Sequence, residues 1–190
     1  MIMLTTVNSP QQVTLEEFLQ LPETKPASEY FNNQIYQKPM PQGEHSRIQI
    51  CLSSAINQAG EPQKLVMAFP ELRCTFNGRS IVPDISVFAW QRIPTKANGR
   101  IENRFEIAPD WVIEILSPDQ SSNQLINKIL FCLNNGTQLG WLIDSEDESV
   151  VIFQPNQQPE IRYNSDNLPV LNLLTDWQLS IADLFSWLYK

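Results

Sequence analysis

Two apolar segments, each interrupted by one carboxylate, constrain the fold of this 190-residue chain most strongly. Residues 111–116 read Trp-Val-Ile-Glu-Ile-Leu, which predicts a buried strand that carries Glu114. Residues 81–88 read Ile-Val-Pro-Asp-Ile-Ser-Val-Phe and predict a second strand, which carries Asp84. Because an unpaired buried charge is very costly, each acid must be protonated, paired or bound to a metal. The two segments therefore predict a site rather than an ordinary core.

If the two strands are neighbours, the alternation of side chains lets Asp84 and Glu114 point the same way. Like charges this close raise one pKa unless a cation lies between them. Mg²⁺ suits such a pair, since it takes one or two carboxylates together with water and substrate phosphate, and Mn²⁺ is the expected substitute. The same repulsion predicts that Asp84→Asn leaves stability unchanged or raises it by about 1 kcal/mol.

The bulk composition narrows the class of protein. With 42% hydrophobic and 18% charged residues, we expect one globular domain over residues 14–190, preceded by a flexible tail over residues 1–13. There is no run of 18 apolar residues and no secretory signal, so we expect no membrane span. The three cysteines lie far apart, which argues against a disulfide framework or a zinc cluster and favours the cytoplasm.

The net charge of −8 is unfavourable for binding nucleic acid, because phosphate contacts need lysine and arginine. One stretch is nevertheless basic, although Glu102 opposes it. It contains Arg92, Lys96, Arg100 and Arg104. This stretch is either a solvated loop or a mobile basic loop that contacts nucleic acid beside the site.

The pattern of the chain predicts a mixed α/β sheet with helices packed against it. A helix begins after Thr14, with Glu17 at the capping-box position, and a hairpin turns at Asn32-Asn33. The further predicted elements are a helix over 45–58, strands near 65–69, 71–77, 81–90 and 111–116, an irregular loop over 91–108, a helix from Ser121 or Ser122 to Gly136, a hairpin of 141–143 with 150–153, and a helix over 181–188.

A third candidate group is Lys128, on the helix that follows the Glu114 strand. A lysine on a helix is usually a surface charge. This one lies on the side of Leu125 and Cys132, which is the apolar face, so it is a candidate general base or charge stabiliser. His45, the single histidine, is better explained as a cap or hydrogen-bonding residue, and no Ser/His/Asp or Cys/His arrangement is visible.

Several motifs in this order resemble a known family. They are Val-Pro-Asp-Ile-Ser-Val over 82–87, Pro-Asp-Trp-Val-Ile-Glu-Ile-Leu-Ser-Pro over 109–118, Lys128 with Cys132 and Gly136 at four-residue spacing, and Trp-Leu-Ile-Asp over 141–144. The chain is similar over nearly its whole length to the Uma family of putative restriction endonucleases, within the PD-(D/E)XK nuclease superfamily. Either acidic motif alone would be weak evidence, whereas the pair followed by the lysine helix is fairly specific.

The resemblance implies a restriction-endonuclease-like core with an N-terminal helix and β-hairpin extension. It implies a Mg²⁺-dependent endonuclease acting on nucleic acid, with DNA expected. Asp84 and Glu114 would be metal ligands, with the Ile115 carbonyl as a third. Lys128 would replace the lysine that other superfamily members carry two residues after the acid, where Leu116 stands here, and Glu29 would be an auxiliary acid near the metal.

Some positions depart from the family pattern. Asn33 replaces the usual glycine, Cys132 replaces an aromatic residue, and Leu139-Gly140 replaces an acidic-aromatic pair. An alternative is therefore a catalytically weak or inactive paralogue that binds nucleic acid or protein. A homodimer is also expected, partly from the family and partly because the apolar residues between Leu171 and Tyr189 looked too many for one small core.

Overall fold

A computed structural model describes residues 13–118 and 120–190, and this part contains two β-sheets and four α-helices. The predicted mixed α/β class is confirmed. The predicted flexible tail over residues 1–13 lies outside the described residues except for Val13, whose carbonyl accepts a hydrogen bond from the Tyr30 hydroxyl at 2.8 Å. No described helix is long and apolar enough to cross a membrane.

The helices are α1 (Leu15–Gln20), α2 (Gly43–Gly60), α3 (Ser122–Leu133) and α4 (Ile181–Ser186). The strands are β1 (Ser28–Phe31), β2 (Gln34–Gln37), β3 (Val66–Pro70), β4 (Cys74–Phe76), β5 (Arg79–Ile81), β6 (Ile85–Ala89), β7 (Trp111–Ile115), β8 (Leu139–Asp144), β9 (Ser149–Phe153) and β10 (Glu160–Arg162). Short 3₁₀ turns lie at Glu61–Gln63, Trp90–Arg92 and Asn172–Leu174.

The larger sheet has the strand order β10-β9-β8-β7-β6-β3, and the smaller sheet has the order β2-β1-β5-β4. Strands β7 and β8 are parallel, and α3 forms the crossover between them. The other described pairs are antiparallel. The smaller sheet therefore brings the β1–β2 hairpin next to β5, which leads directly into the Asp84 segment.

The two faces of the larger sheet are covered by different elements. Ile113 and Ile115 pack in one cluster with residues of α2 and of the C-terminal segment, whereas Val112 packs in a second cluster with residues of α3. Glu114 follows the alternation of Val112 and so lies beneath α3. A Cβ at Gly140 of β8 would lie 2.4 Å from Ile129 Cγ2, so this glycine lets α3 approach the sheet closely.

Local signals located several elements correctly. The capping box of Thr14 and Glu17 is present at α1. Asn32 and Asn33 have φ of 53° and 58°, the left-handed conformation that a two-residue hairpin turn requires. The sequence also predicted α2, α3, β3, β7, β8, β9 and α4 to within a few residues.

Other expectations were wrong. The strands predicted over 71–77 and 81–90 are three shorter strands, β4, β5 and β6, and Asp84 immediately precedes β6 rather than lying inside a strand. Pro83 accounts for the break, because proline has no N–H for the strand ladder. Strand β10 was not predicted. The apolar C-terminal residues fit the core only in part: Leu171, Leu174, Leu179, Ile181, Leu184 and Phe185 are buried, whereas Leu173 and Tyr189 are exposed.

Candidate active site

Strands β6 and β7 bring the two acids together. They are antiparallel neighbours with Ile85 opposite Ile113, so one further step of the same register places Asp84 level with Glu114. The predicted adjacency of the two acid-bearing segments is therefore present. Asp84 lies immediately before β6 and Glu114 near the end of β7, at the same end of this strand pair.

Asp84 is 2% exposed, and both of its carboxylate oxygens have partners. Oδ2 accepts a hydrogen bond from the Ile115 N–H at 2.7 Å and lies 3.2 Å from His45 Nε2, while Oδ1 accepts from Lys38 Nζ at 2.7 Å. Burial alone would raise the pKa of this carboxyl, but the Lys38 ammonium group and the hydrogen bond and charge of His45 hold the pKa well below its ordinary value.

Lys38 is a site residue that the sequence analysis missed. It follows β2, and its Nζ donates to Asp84 Oδ1 at 2.7 Å, to Glu71 Oε1 at 2.8 Å and to the Val82 carbonyl at 2.9 Å. It stands 46 residues from Asp84 in the chain, beside Pro39 in a proline-rich loop. The one available indication in the sequence was indirect. If Glu29 lies in the site, the end of β2, which pairs with the Glu29 strand, lies close to the site as well.

Glu114 has a different environment. The residue is 0% exposed, its Oε2 lies 3.1 Å from Lys128 Nζ, and its buried Oε1 has no hydrogen-bond partner among the described residues. Burial raises the pKa of the Glu114 carboxyl to about 8, because the loss of hydration outweighs the attraction of Lys128 and the Asp84 charge acts in the same direction.

Lys128 connects Glu114 to the small sheet. Its Nζ lies 2.7 Å from Glu29 Oε1, an oxygen that also accepts the Val82 N–H at 2.8 Å. Burial would lower the pKa of Lys128, but the Glu114 and Glu29 carboxylates together raise it, so the ammonium group stays charged. The predicted site residues Glu29, Glu114 and Lys128 therefore lie in direct contact.

The charges of this buried cluster do not balance. Glu29, Asp84 and Glu114 are three buried acids, whereas Lys38 and Lys128 are two cations whose side chains are 8% and 7% exposed. With all three acids ionised, one negative charge is left over, which the raised pKa of Glu114 removes by protonation at neutral pH when no cation is bound, and Glu114 Oε1 has no described partner. A cation would satisfy both conditions.

The donor set suits one class of metal. Among the described residues, no group of three or more His, Cys, Asp or Glu side chains is arranged to hold a metal ion. Two carboxylates are nevertheless enough for Mg²⁺, which completes its shell with water and phosphate, whereas structural zinc needs four protein ligands. The residues present therefore fit Mg²⁺. A role of the Ile115 carbonyl as a third ligand stays a prediction.

Two cavities lie on either side of Lys38. The first, which we call the α3 cleft, has a volume of about 320 Å³ and is lined by Glu29, Lys38 and Lys128 among others. The second, of about 460 Å³, is lined by Lys38, Asp84, His45 and Glu71. Lys38, Pro39 and Gln120 belong to both linings, so the two cavities adjoin each other.

The predicted basic loop lies elsewhere. Arg92 contacts Asp110 with Nη1 at 2.5 Å and the Ala108 carbonyl with Nη2 at 3.1 Å, and so holds the start of β7. Arg100 and Arg104 are exposed and Lys96 is half-buried. Among the described cavities, neither of the two beside the acids is lined by any of these four residues. Their contact with nucleic acid stays a prediction.

Comparison with known proteins gives a consistent result. Residues 15–182 match the model of the Uma2 family, described as "Putative restriction endonuclease". Comparison with the curated proteins found no match. The chain is 54% identical to a putative nuclease belonging to DUF820 from Anabaena variabilis ATCC 29413, whose crystal structure was solved at 1.96 Å resolution. The TM-score is 0.92, with 93% of this chain and 99% of that chain covered.

The comparison confirms the predicted fold, because a solved nuclease-like structure superposes on nearly all of the chain at high identity. It also confirms the family resemblance of the acidic and lysine motifs, since the family match covers every one of them. The chain therefore belongs to the Uma2 family of putative restriction endonucleases.

Proposed function

We propose that this protein is a Mg²⁺-dependent endonuclease that hydrolyses phosphodiester bonds in nucleic acid, with DNA as the substrate. The observation that carries the proposal is the meeting of Asp84 and Glu114 at one level of two neighbouring strands, with Lys128 bonded to Glu114. The family and the structural neighbour, both described as nucleases, support the same reaction class.

The two carboxylates are the proposed ligands of Mg²⁺, or of Mn²⁺ in its place, with the Ile115 carbonyl as a third ligand. Glu114 Oε1 is available for this, because it is buried without a described partner. When bound, the ion supplies Lewis-acid stabilisation of the charge on the scissile phosphate and lowers the pKa of a bound water.

Lys128 is the proposed charge stabiliser. Its ammonium group is fixed by Glu29 at 2.7 Å and by Glu114 at 3.1 Å, and it borders the α3 cleft. A cation held in place by buried partners stabilises developing negative charge without reorganising during the reaction. Glu29 in turn acts on Lys128, which gives the predicted auxiliary acid a positioning role.

Lys38 compensates Asp84 before a cation binds. Its Nζ donates to Asp84 Oδ1 and to Glu71 Oε1, and it is the one ammonium group within 4.0 Å of the Asp84 carboxylate in the described part of the chain. A ligand approaching Oδ1 must displace this contact. Lys38 lines both cavities beside the acids.

The alternative of an inactive binding module is not favoured by the positions that depart from the family. Cys132 and Leu139 are buried in the core, and Asn33 takes the left-handed conformation that its turn requires. These changes alter packing rather than the acidic cluster. A homodimer and a cytoplasmic location belong to the same proposal, although the dimer now rests on the family resemblance alone.

Plasmid cleavage tests the proposed function. Purified protein should nick supercoiled plasmid in the presence of Mg²⁺ and not in the presence of EDTA. Asp84→Asn should lose this activity, while Asp176→Asn, which removes an exposed carboxylate outside the cluster, should keep it. Nicking that survives in Asp84→Asn would show that the acids are not the active site.

A further inference from the structure

The α3 cleft has two walls with different chemistry. One wall is the β1–β2 hairpin, whose Phe31 and Tyr36 rings stack face to face with centroids 3.9 Å apart. The other wall is the first half of α3, including Gln124 and Asn127. Lys128 and its Glu29 partner, both buried, also line the cleft, so the cleft borders the proposed active site.

Three cations line the cleft, in a protein with a net charge of −8. Lys38 and Lys128 are paired with carboxylates of the acidic cluster, whereas Arg79 lies outside these pairs. The Arg79 guanidinium lies 4.3 Å from the Phe131 ring centroid and 5.8 Å from that of Phe31. Within the described residues no carboxylate lies in salt-bridge distance of Arg79, so its donors are available to an anion.

The remaining surface of the cleft suits a planar heterocycle. Ile81, Leu125 and Pro39 give it an apolar surface beside the stacked aromatic pair. At the rim, the Gln124 and Asn127 side chains are exposed and make no hydrogen bond within the described part of the chain. A carboxamide both donates and accepts, which is the combination that reads base edges.

We infer that the α3 cleft binds one unpaired nucleotide of the substrate, next to the phosphodiester that is cut. An anionic group would meet Arg79, and a base would lie against the aromatic and apolar wall, where stacking and cation–π contacts are the usual means of binding single-stranded nucleic acid. A cavity of about 320 Å³ holds a single small ligand and excludes a base that remains paired and stacked in a duplex.

This inference rests on the proposed nuclease function and adds a substrate class to it: single-stranded nucleic acid, or a duplex that carries an unpaired nucleotide. Fluorescence anisotropy in EDTA measures the binding of nucleic acid separately from Mg²⁺-dependent cleavage. The probes are a labelled DNA strand of about 12 nucleotides, the same strand in a perfect duplex, and that duplex with one bulged nucleotide. We expect the single strand to bind at least about tenfold more tightly than the perfect duplex, with the bulge restoring part of the difference.

Gln124→Glu gives a test that cannot be confused with unfolding. It places a glutamate in the first turn of α3, where a negative charge interacts favourably with the helix dipole and should stabilise the helix. It also places a negative charge on the cleft, so we expect single-strand affinity to fall roughly fivefold at about 0.15 M salt. Asn123→Glu adds the same charge in the same turn, does not line the cleft, and should change affinity little.

Arg79→Gln should weaken single-strand binding by about tenfold, because it removes a charged donor. Lys64→Gln, an exposed charge outside the cleft, is the matched control. Equal affinity for single strand and perfect duplex, or equal effects of the cleft and control variants, would overturn the inference. Normal binding without any cleavage would instead contradict the proposed nuclease activity and leave the cleft assignment intact.

Discussion

Asp84 and Glu114 lie level on neighbouring strands, yet their surroundings differ. Asp84 precedes β6, where a backbone N–H, His45 and Lys38 reach both carboxylate oxygens, and its pKa is lowered. Glu114 lies inside β7 beneath α3, with one oxygen bonded to Lys128 and the other without a described partner, and its pKa is raised. The unsatisfied hydrogen-bonding capacity of the cluster therefore lies on the Glu114 side.

A fourth buried acid shows what a purely structural carboxylate looks like. Asp110 stands just before β7 and is 3% exposed. Its two oxygens accept hydrogen bonds from Arg92 and from the Ala89 N–H, at 2.5 and 2.7 Å. Both Asp110 oxygens have partners, whereas Glu114, at the other end of the same strand, has one oxygen without a partner among the described residues.

The largest effect on stability should come from Lys128→Met. The variant leaves Glu29 and Glu114 buried without their shared cation, and breaking a buried ion pair in this way costs about 3–5 kcal/mol. Urea unfolding in EDTA measures the change, and Lys64→Met, at an exposed position, is the control. A loss below about 1 kcal/mol would mean that Lys128 does not compensate these acids.

Asp84→Asn should have the next largest effect, a loss of about 1–3 kcal/mol, because Lys38 would be left beside a neutral amide. This corrects the expectation from like-charge repulsion, which predicted no loss or a gain. The repulsion is present, but its effect falls on Glu114, since Asp84 has three partners of its own. Thermal unfolding without metal decides between the two, and a raised melting temperature would restore the repulsion argument.

Glu114→Gln should have an effect on stability that depends on pH. The pKa of Glu114 is raised from 4.5 to about 8 in the folded protein. As pH rises between these values, the carboxyl ionises in the unfolded chain but stays protonated in the folded one, so the wild type loses stability. Glutamine does not ionise, so the variant does not lose stability in this way. Relative to wild type, the variant should gain at least about 1 kcal/mol between pH about 5 and about 8. Parallel stability curves over this range would contradict the raised pKa.

The fold, the strand of Glu114 and the helix of Lys128 could be predicted from local patterns. Strand β7 is a short apolar run, and the apolar face of α3 includes Lys128, so both could be identified without knowing any distant contact. The hairpin turn at Asn32-Asn33 was equally local, because it depends on backbone conformations that asparagine tolerates.

The remaining parts depend on tertiary contacts. Lys38 has an ordinary polar context in the sequence and becomes a site residue only when the small sheet places it against Asp84. Arg79 follows a turn and would be assigned to the surface, but it packs over Phe31 and Phe131. Pro83 was visible in the sequence. Its missing N–H breaks the strand that the β-branched residues around it predicted.

The most direct test of the account is whether Asp84 and Glu114 hold one divalent cation together. Calorimetric titration of the wild type with Mn²⁺ and Mg²⁺ should show a single site, and Asp84→Asn and Glu114→Gln should each weaken it by at least about tenfold. Asp110→Asn, a buried acid outside the cluster, should bind as the wild type does once its folding has been verified. Unchanged cation affinity in both Asp84→Asn and Glu114→Gln would contradict the central claim.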